Sequence, residues 1–254
     1  MEKSSKIAAL MIGRGGSSLK DKNILPVHGI PLLHWAANGA VQSKYIGRYY
    51  ISSNDDKILN SAQTAGYKKI IRPDELCTNT AQSTDAVTHA LDFIEADGPV
   101  EIVVVQHANV GTITPQIIDD CIDILREDPT LSAVVPSHEF NEYHPYRGKG
   151  LAKNGTLVPF VESAGDVSAN RQDLPTCLYF DHSIWVLRAS TIRTPGGQPP
   201  WPCMGQAIKP YITSGCLDVH SMEDIAHTEK WITAQNVDFP DFGKREASAN
   251  PWSA

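Results

Sequence analysis

The chain has 254 residues, enough for one domain with a full hydrophobic core. Its formal net charge is −7 and it carries no run of Lys and Arg, which argues against nucleic acid or a membrane surface as its partner. The first residues lead into a strand-like stretch rather than an apolar signal core, and no apolar stretch reaches the roughly 20 residues of a membrane-spanning helix. We therefore expect a cytoplasmic protein. Five widely separated cysteines without a C-x-x-C pair disfavour disulfides and a zinc ribbon.

Strand-like and helix-like apolar patterns alternate along the first half of the chain. This alternation predicts an α/β fold, a mainly parallel sheet with helices on both faces. In chain order, we predict a strand at 7–12, a helix at 31–43, a strand at 49–53, a helix at 55–66, a strand at 69–71, a helix at 83–95, a strand at 101–106, a helix at 115–127 and a strand at 132–136.

The pattern changes in the second half. Residues 139–175 are polar, turn-rich and too long for a simple connection, which indicates a lid, a hairpin excursion or a dimerisation arm. The sheet is predicted to resume with strands at 177–180, 183–187 and near 217–219, followed by a closing helix at 224–235. We thus expect a single domain over 1–237, with 139–175 as an inserted dimerisation or acceptor arm, and a loosely held tail over 238–254.

A glycine-rich, cationic loop follows the first predicted strand. Gly15 and Gly16 lack a Cβ, so the backbone can turn its N–H groups toward an anion. Arg14, Lys20 and Lys22 place cations around the same loop, suited to a triphosphate and to the charge that develops in phosphoryl transfer. The spacing matches neither a Walker loop nor a dinucleotide fingerprint. Taken alone, the pattern is equally typical of a solvated surface turn.

Six segments, in order, resemble motifs of the acylneuraminate cytidylyltransferases. Arg14-Gly15-Gly16-Ser17 and Lys22-Asn23 match the two ends of R-G-G-S-K-G-L-P-G-K-N. Residues 71–76 resemble R-P-x-x-L, residues 82–85 resemble S-S-x-D, and Gln106 stands where Q-P-T-S-P-L-R begins. Residues 171–175 match R-Q-D-L-P, and residues 217–224 resemble D-I-D-T-x-x-D.

The resemblance implies a Rossmann-like nucleotidyltransferase fold. It also implies an enzyme that transfers CMP from CTP to a small acidic sugar, a sialic acid-like 2-keto acid, and releases pyrophosphate. It implies a homodimer as well. The catalytic residues would be Arg14 and Lys22, with Lys20 supplying the charge lost where Ser18 replaces a lysine. The nucleotide would be bound by Gly15, Gly16, Ser17, Asn23, Arg72, Ser83 and Gln106. The position of Gln106 also agrees with ligand binding at the ends of parallel strands.

Two sets of residues are candidates for the acceptor and the metal. Arg171 and Gln172 would bind the acidic acceptor, and Arg147 and His144 are further candidates, although the aromatic residues around them are as typical of interface packing. Asp218, just past a predicted strand, would hold Mg²⁺. His220 lies two residues on, on the same side of an extended segment, and either binds the metal or holds a metal-bound water. A nitrogen ligand would favour Mn²⁺. Alternatively, His220 caps the final helix.

Several positions depart from the motifs. Residues 107–112 replace P-T-S-P-L-R, and His220 replaces the second aspartate of D-I-D. These changes leave two alternatives open: the same chemistry on a phosphonate or phosphosugar acceptor or with another NTP, and a nucleotide-binding protein that has lost catalysis.

Overall fold

A computed structural model of the chain describes residues 3–16, 19–162 and 165–242. The strands are β1 (Ser4–Ile12), β2 (Pro26–Val27), β3 (Ile30–Pro31), β4 (Ile46–Ser53), β5 (Lys68–Ile71), β6 (Ile102–His107), β7 (Ala133–Glu139), β8 (Lys149–Leu151), β9 (Leu157–Pro159), β10 (Leu178–Phe180), β11 (Ile184–Arg188) and β12 (Ile208–Ile212). The helices are α1 (Leu32–Gln42), α2 (Asp56–Thr64), α3 (Ser83–Ala96), α4 (Pro115–Glu127), α5 (Ala189–Ile192) and α6 (Met222–Ala234).

One central sheet organises the chain, with the strand order β10-β7-β11-β6-β1-β4-β5 and β12 paired to β7. Strands β6, β1, β4 and β5 run parallel, as does β12 beside β7, whereas β10 and β11 are antiparallel to their neighbours. The predicted α/β fold with a mainly parallel sheet is confirmed.

Both faces of the sheet are covered, because its central strands are apolar on both sides. In β6, Val103, Val104 and Val105 are fully buried. Alternate residues face opposite layers, so Val104 packs with α1, α2 and α4, whereas Val103 and Val105 pack with α3 and α5. A smaller cluster joins α6 to α1 through Ile225, Ile232 and Trp35.

Most predicted helices and strands are present, with small shifts at their ends, and α4 has the predicted bounds. The predicted strand near 217–219 is absent as a strand, and only an isolated bridge joins Val110 to Asp218. Strand β12 was not predicted from the sequence. Among the strands of the described ranges it pairs with β7 alone, and it contains Lys209 and Pro210, so it lacks the apolar run of a central strand.

The arm 139–175 contains the hairpin β8–β9 and three single helical turns. It exposes large apolar side chains, which are Phe140, Tyr143, Leu151, Leu157, Val158, Phe160, Val161 and Val167. Such side chains, grouped on one element, are typical of a surface that meets a partner.

The beginning of the tail differs from the expectation of a loosely held segment. The Phe239 ring packs on Trp35 at 5.1 Å between centroids, and the Phe242 ring packs edge-on against His34 at 5.3 Å. The Asn38 amide donates to the carbonyl of Asp238 at 2.9 Å. Residues 238–242 are therefore fastened to α1, and residues 243–254 lie outside the described part of the chain.

Within the ranges that the structure describes, no helix combines the length and the apolar character that a membrane crossing requires.

Candidate functional site

The candidate site is a cavity of about 660 Å³ at the carboxyl ends of β1 and β6. Ligands of open α/β sheets bind at such strand ends. Seven of the residues predicted for the site line this cavity, namely Arg14, Gly16, Lys22, Asn23, Arg72, Ser83 and His220. A second cavity of about 580 Å³ shares Arg14 and Gly16 with the first and is also lined by Gly15. Ser17 lies outside the described residues.

Two side chains, those of Asn23 and Asp55, pack against the glycine-rich loop after β1. Asn23 is buried, and its amide donates to the carbonyl of Arg14 at 3.2 Å. Asp55 packs so close to Gly15 that a Cβ there would lie 2.8 Å from a carboxylate oxygen. Gly16 has φ of +70°, a conformation that favours glycine. Asn23 thus supports the loop, and both positions after Arg14 favour glycine, Gly15 because of the contact with Asp55 and Gly16 because of its positive φ.

Two arginines on the cavity wall are held by different partners. The Nη1 atom of Arg14 donates to the carbonyls of Cys77 at 3.0 Å and Thr78 at 2.6 Å. Arg72 follows β5 and is only 6% exposed, and its guanidinium donates to the hydroxyl and the carbonyl of Ser52. Burial lowers the pKa of Arg72, yet a guanidinium stays charged in proteins. Both positive charges are therefore fixed beside the cavity.

Lys22 brings a third cation to the cavity. Burial lowers the pKa of its ammonium group, and Asp218 opposes that shift. A half-buried ammonium acts through a lower dielectric than a surface lysine, so its attraction for phosphate is stronger. The amino-terminal end of α3, which begins at Ser83, adds the positive end of a helix dipole to the same wall.

Two of the described residues predicted to act on the nucleotide, Lys20 and Gln106, line neither cavity. Lys20 is exposed and lines neither cavity. Gln106 is 1% exposed, where its amide donates to the carbonyl of Ala36 at 2.6 Å and its Oε1 accepts from the Tyr67 hydroxyl at 2.6 Å. Because side chains alternate along a strand, Gln106 points to the α1 layer and His107 to the cavity beside α3. The predicted nucleotide contact of Gln106 is therefore corrected to a structural role.

His107, which also lines the cavity, was not predicted from the sequence as a functional residue. Its ring lies edge-on against Trp185 at 4.8 Å and near His182 at 6.0 Å. Burial, followed by the charges of His182 and Lys22, lowers the pKa of His107 to about 3. The cavity thus carries an uncharged imidazole at the end of its central strand.

The candidate metal residues are in contact with each other. The Nε2 atom of His220 lies 2.9 Å from Oδ2 of Asp218, and the amide of Asn109 donates to Oδ1 of the same carboxylate. Asn109 and His220 also line the cavity. The described ranges contain no group of three His, Cys, Asp or Glu residues arranged for a metal. This donor set fits a hard cation that takes few protein oxygens and completes its coordination with phosphate and water.

The alternative role of His220 as a helix cap is wrong. Ser221 is the N-cap of α6 and forms a reciprocal capping box with Asp224. The backbone N–H of His220 also donates to Asp224, at 2.9 Å. The imidazole is thereby left beside Asp218 while the main chain is fixed to the start of the helix.

None of the four acceptor candidates lines the cavity within one chain. Arg147 and Arg171 both face Glu142, at 3.5 and 3.6 Å. Gln172 is exposed. His144 is buried; its Nδ1 accepts from the backbone N–H of Tyr146, and its Nε2 lies 3.2 Å from the carbonyl of Pro175. With both ring nitrogens engaged, His144 joins the two ends of the arm instead of presenting itself to an acceptor.

Comparison with known proteins gives one family. A family model described as Cytidylyltransferase matches residues 8–147. The N-acylneuraminate cytidylyltransferase of Oncorhynchus mykiss is 27% identical over 149 residues, which are 58% of this chain and 34% of that protein. The 3-deoxy-manno-octulosonate cytidylyltransferase of Bdellovibrio bacteriovorus is 23% identical over 134 residues, 52% of this chain and 51% of that protein. The aligned part thus spans about a third of the first relative and half of the second.

Solved structures share the fold. CMP:2-keto-3-deoxy-manno-octonic acid synthetase complexed with CTP superposes with a TM-score of 0.66 at 15% identity, covering 91% of this chain and 100% of that chain. The 4-diphosphocytidyl-2C-methyl-D-erythritol synthase of Anaerococcus prevotii gives a TM-score of 0.61 at 12% identity, covering 89% and 96%. At this identity the likeness establishes the nucleotidyltransferase architecture.

Proposed function

This chain belongs to the cytidylyltransferase family, and we propose that it transfers CMP from CTP to a small acidic sugar, a sialic acid-like 2-keto acid, and releases pyrophosphate. One observation carries the proposal. Arg14, Lys22 and Arg72 meet the amino-terminal end of α3 in a single cavity at the carboxyl ends of β1 and β6. Such convergence of fixed positive charge is what a nucleoside triphosphate requires.

The reaction needs little covalent chemistry from the protein. An acceptor oxygen attacks the α-phosphorus, the bond to the bridging oxygen of the β-phosphate breaks, and pyrophosphate leaves. Arg14 and Lys22 hold the negative charge that builds up on the phosphate oxygens, and Arg72 fixes the nucleotide beside α3. Catalysis is then mainly positioning and charge neutralisation.

We propose a divalent cation, Mg²⁺ or Mn²⁺, at Asp218. The cation would supply further positive charge to the phosphates. Asp218 would hold it through a carboxylate oxygen, and His220 would keep that carboxylate in place through the contact of 2.9 Å. A site with one carboxylate suits Mg²⁺, which keeps several waters and binds substrate phosphates.

We propose a cytoplasmic homodimer. All five cysteines are free, as is usual in a reducing compartment. The exposed apolar side chains of the arm 139–175 support a partner surface, and Arg171 on the same arm would reach the acceptor only in the partner's site.

A screen of pyrophosphate release tests the function. The four NTPs are each combined with sialic acid-like 2-keto acids, phosphosugars and phosphonates in the presence of Mg²⁺. We expect release only with CTP and a 2-keto sugar acid. Pyrophosphate release with a phosphonate or a phosphosugar, but not with a 2-keto sugar acid, would show that the proposed acceptor class is wrong. No release from any pair at micromolar enzyme would contradict catalysis.

A further inference from the structure

Residues 107–112, which depart from the motifs of the resembled family, lie beside residues 217–220, which contain the metal candidates Asp218 and His220. The backbone N–H of Val219 donates to the carbonyl of Asn109 at 3.1 Å. The backbone N–H of Leu217 donates to the hydroxyl of Thr112 at 2.9 Å, and Thr112 is buried. The main chain is thus fastened to segment 107–112 immediately before and immediately after Asp218.

The side chain of Asp218 is held as firmly as its backbone. The Nδ2 atom of Asn109 donates to Oδ1 of Asp218 and lies 3.3 Å from the carbonyl of Val219. The other oxygen, Oδ2, lies 2.9 Å from Nε2 of His220. A carboxylate with a partner on each oxygen has one orientation, whereas an exposed carboxylate without partners rotates freely.

We propose that Asn109 is a positioning residue that aims the Asp218 carboxylate at the divalent cation of the nucleotide. This inference rests on the proposed function. Asn109 lines the candidate cavity and contacts Asp218, so its amide lies between Asp218 and the space in which the phosphates would bind. Outer partners of this kind orient metal-binding carboxylates, and their loss lowers metal affinity. Residues 107–112 thereby influence metal binding through the orientation of the Asp218 carboxylate.

Two substitutions of Asn109 separate positioning from simple packing. Asn109→Ala removes the donor, so Asp218 is free to rotate, and we expect the Kd for metal to rise about 10-fold or more. Asn109→Asp also removes the donor, but it places a second carboxylate beside Asp218. Like charges at this distance destabilise the metal-free protein, and a cation between them relieves the repulsion. Metal should therefore raise the unfolding temperature of Asn109→Asp more than that of the wild type.

The experiment uses Mn²⁺ as the probe and the full chain saturated with CTP, without acceptor. Calorimetry gives the Kd for Mn²⁺. Thermal unfolding with and without Mn²⁺ gives the change in unfolding temperature that the metal causes. Metal-free CTP binding is measured separately in the presence of a chelator. The matched control is Gln116→Ala on α4. The amide of Gln116 donates to Asp120 at 2.6 Å at an exposed position outside both cavities. We expect its Kd for Mn²⁺ to equal that of the wild type, and metal-free CTP binding of Asn109→Ala to stay within about 2-fold.

The outcomes distinguish the inference from its premise. Wild-type protein that binds no CTP overturns the proposed function. Wild-type protein that binds CTP and Mn²⁺, with an unchanged Kd for Mn²⁺ in Asn109→Ala, overturns only the role of Asn109. If Asn109→Ala does not fold, Asn109→Asp decides: a larger rise of the unfolding temperature with Mn²⁺ than in the wild type supports the inference, because it places residue 109 beside the cation at Asp218, and an equal or smaller rise overturns it.

Discussion

At the scale of single residues, the cations of the cavity give the most direct prediction. Arg14→Ala and Lys22→Ala should each lower turnover by about 10²-fold or more, the scale of losing a preorganised charge at a transferring phosphoryl group. Thermal unfolding should change little, because neither side chain belongs to the buried apolar core. Lys69→Ala is the control, since Lys69 is a lysine on β5 outside both cavities. Turnover near the wild-type value in either variant would show that the cation lies on the surface without acting in the reaction.

Lys20 is the matched case within the loop itself. It carries the same charge as Lys22 but is exposed and lines neither cavity. We expect Lys20→Ala to cost less than about 10-fold in turnover, because a solvated ammonium is screened from the phosphates. A loss as large as that of Lys22→Ala would restore Lys20 to the catalytic residues.

The metal residues are tested by titrating the rate with Mg²⁺. Asp218→Ala should abolish turnover at every concentration of metal. His220→Ala should raise the concentration for half-maximal rate, because the carboxylate loses the partner on Oδ2. His220→Asp should recover the response to Mg²⁺, since it pairs two carboxylates. An unchanged titration in His220→Ala would remove His220 from the metal site.

His107 provides a pH dependence of stability. Its folded-state pKa of about 3 lies below the usual 6.5, so the unfolded chain binds the proton more readily. The stabilising contribution is therefore complete above pH 6.5 and is lost as the pH falls toward 3, by up to about 1.4 kcal/mol for each pH unit. The difference in unfolding free energy between wild type and His107→Phe, measured in urea at pH 7 and pH 5, should shift in favour of the variant at pH 5. A difference independent of pH would mean that the imidazole titrates normally in the folded protein.

At the scale of elements, the docking of residues 238–242 on α1 is testable. Phe242 is 9% exposed and packs against His34, whereas Phe93 on α3 is 46% exposed. Phe242→Ala should lower the unfolding free energy by about 2 kcal/mol, the scale of burying one large apolar side chain, and Phe93→Ala by much less. Urea denaturation of the two variants measures both values. Equal, small losses would return this part of the tail to a loosely held segment.

The same scale shows what apolar periodicity predicts. Helix α4 was predicted with its observed bounds, because its apolar residues recur on one face and Thr114 and Pro115 mark its start. The sequence did not allow us to predict whether Gln106 or His107 faces the cavity. Both faces of β6 are covered by helices, so the strand is apolar on both sides and its pattern does not show which side chain faces the cavity.

Part of the candidate site was predictable because some of its residues lie in local sequence patterns. Arg14, Lys22 and Arg72 stand next to strand ends or glycines, where local sequence already indicates a ligand site. Asn109 was not found, because its partner Asp218 lies 109 residues away along the chain. Side-chain pairs joined only by tertiary folding leave no local pattern, so structure is needed to find them.

At the scale of the whole molecule, the family assignment predicts the nucleotide. Binding of the four NTPs with Mg²⁺ should show CTP at least about 10-fold tighter than the others, because a site that hydrogen-bonds one base leaves polar groups unpaired with another. Clear selection of ATP or GTP would reject the proposed use of CTP and leave the fold assignment intact.

Quaternary structure follows from the arm. Leu157 and Phe160 are 70% and 74% exposed on or beside the hairpin β8–β9. A stable dimer buries about 800 Å² on each partner, and apolar side chains grouped on one element provide such an area. We expect wild-type protein to sediment as a dimer at micromolar concentration.

Charge on the arm should separate the partners without unfolding either. Leu157→Asp with Phe160→Asp changes only exposed positions, so thermal unfolding of each chain should be nearly unchanged while sedimentation gives a monomer. Turnover should fall with the dimer, because Arg171 lies on the same arm and does not line the candidate cavity of its own chain. Phe93→Asp, an equally drastic change at an exposed position of α3, should leave both the dimer and turnover intact. A wild-type monomer at micromolar concentration would contradict the dimer, and a monomeric but fully active double variant would place the complete acceptor site within one chain.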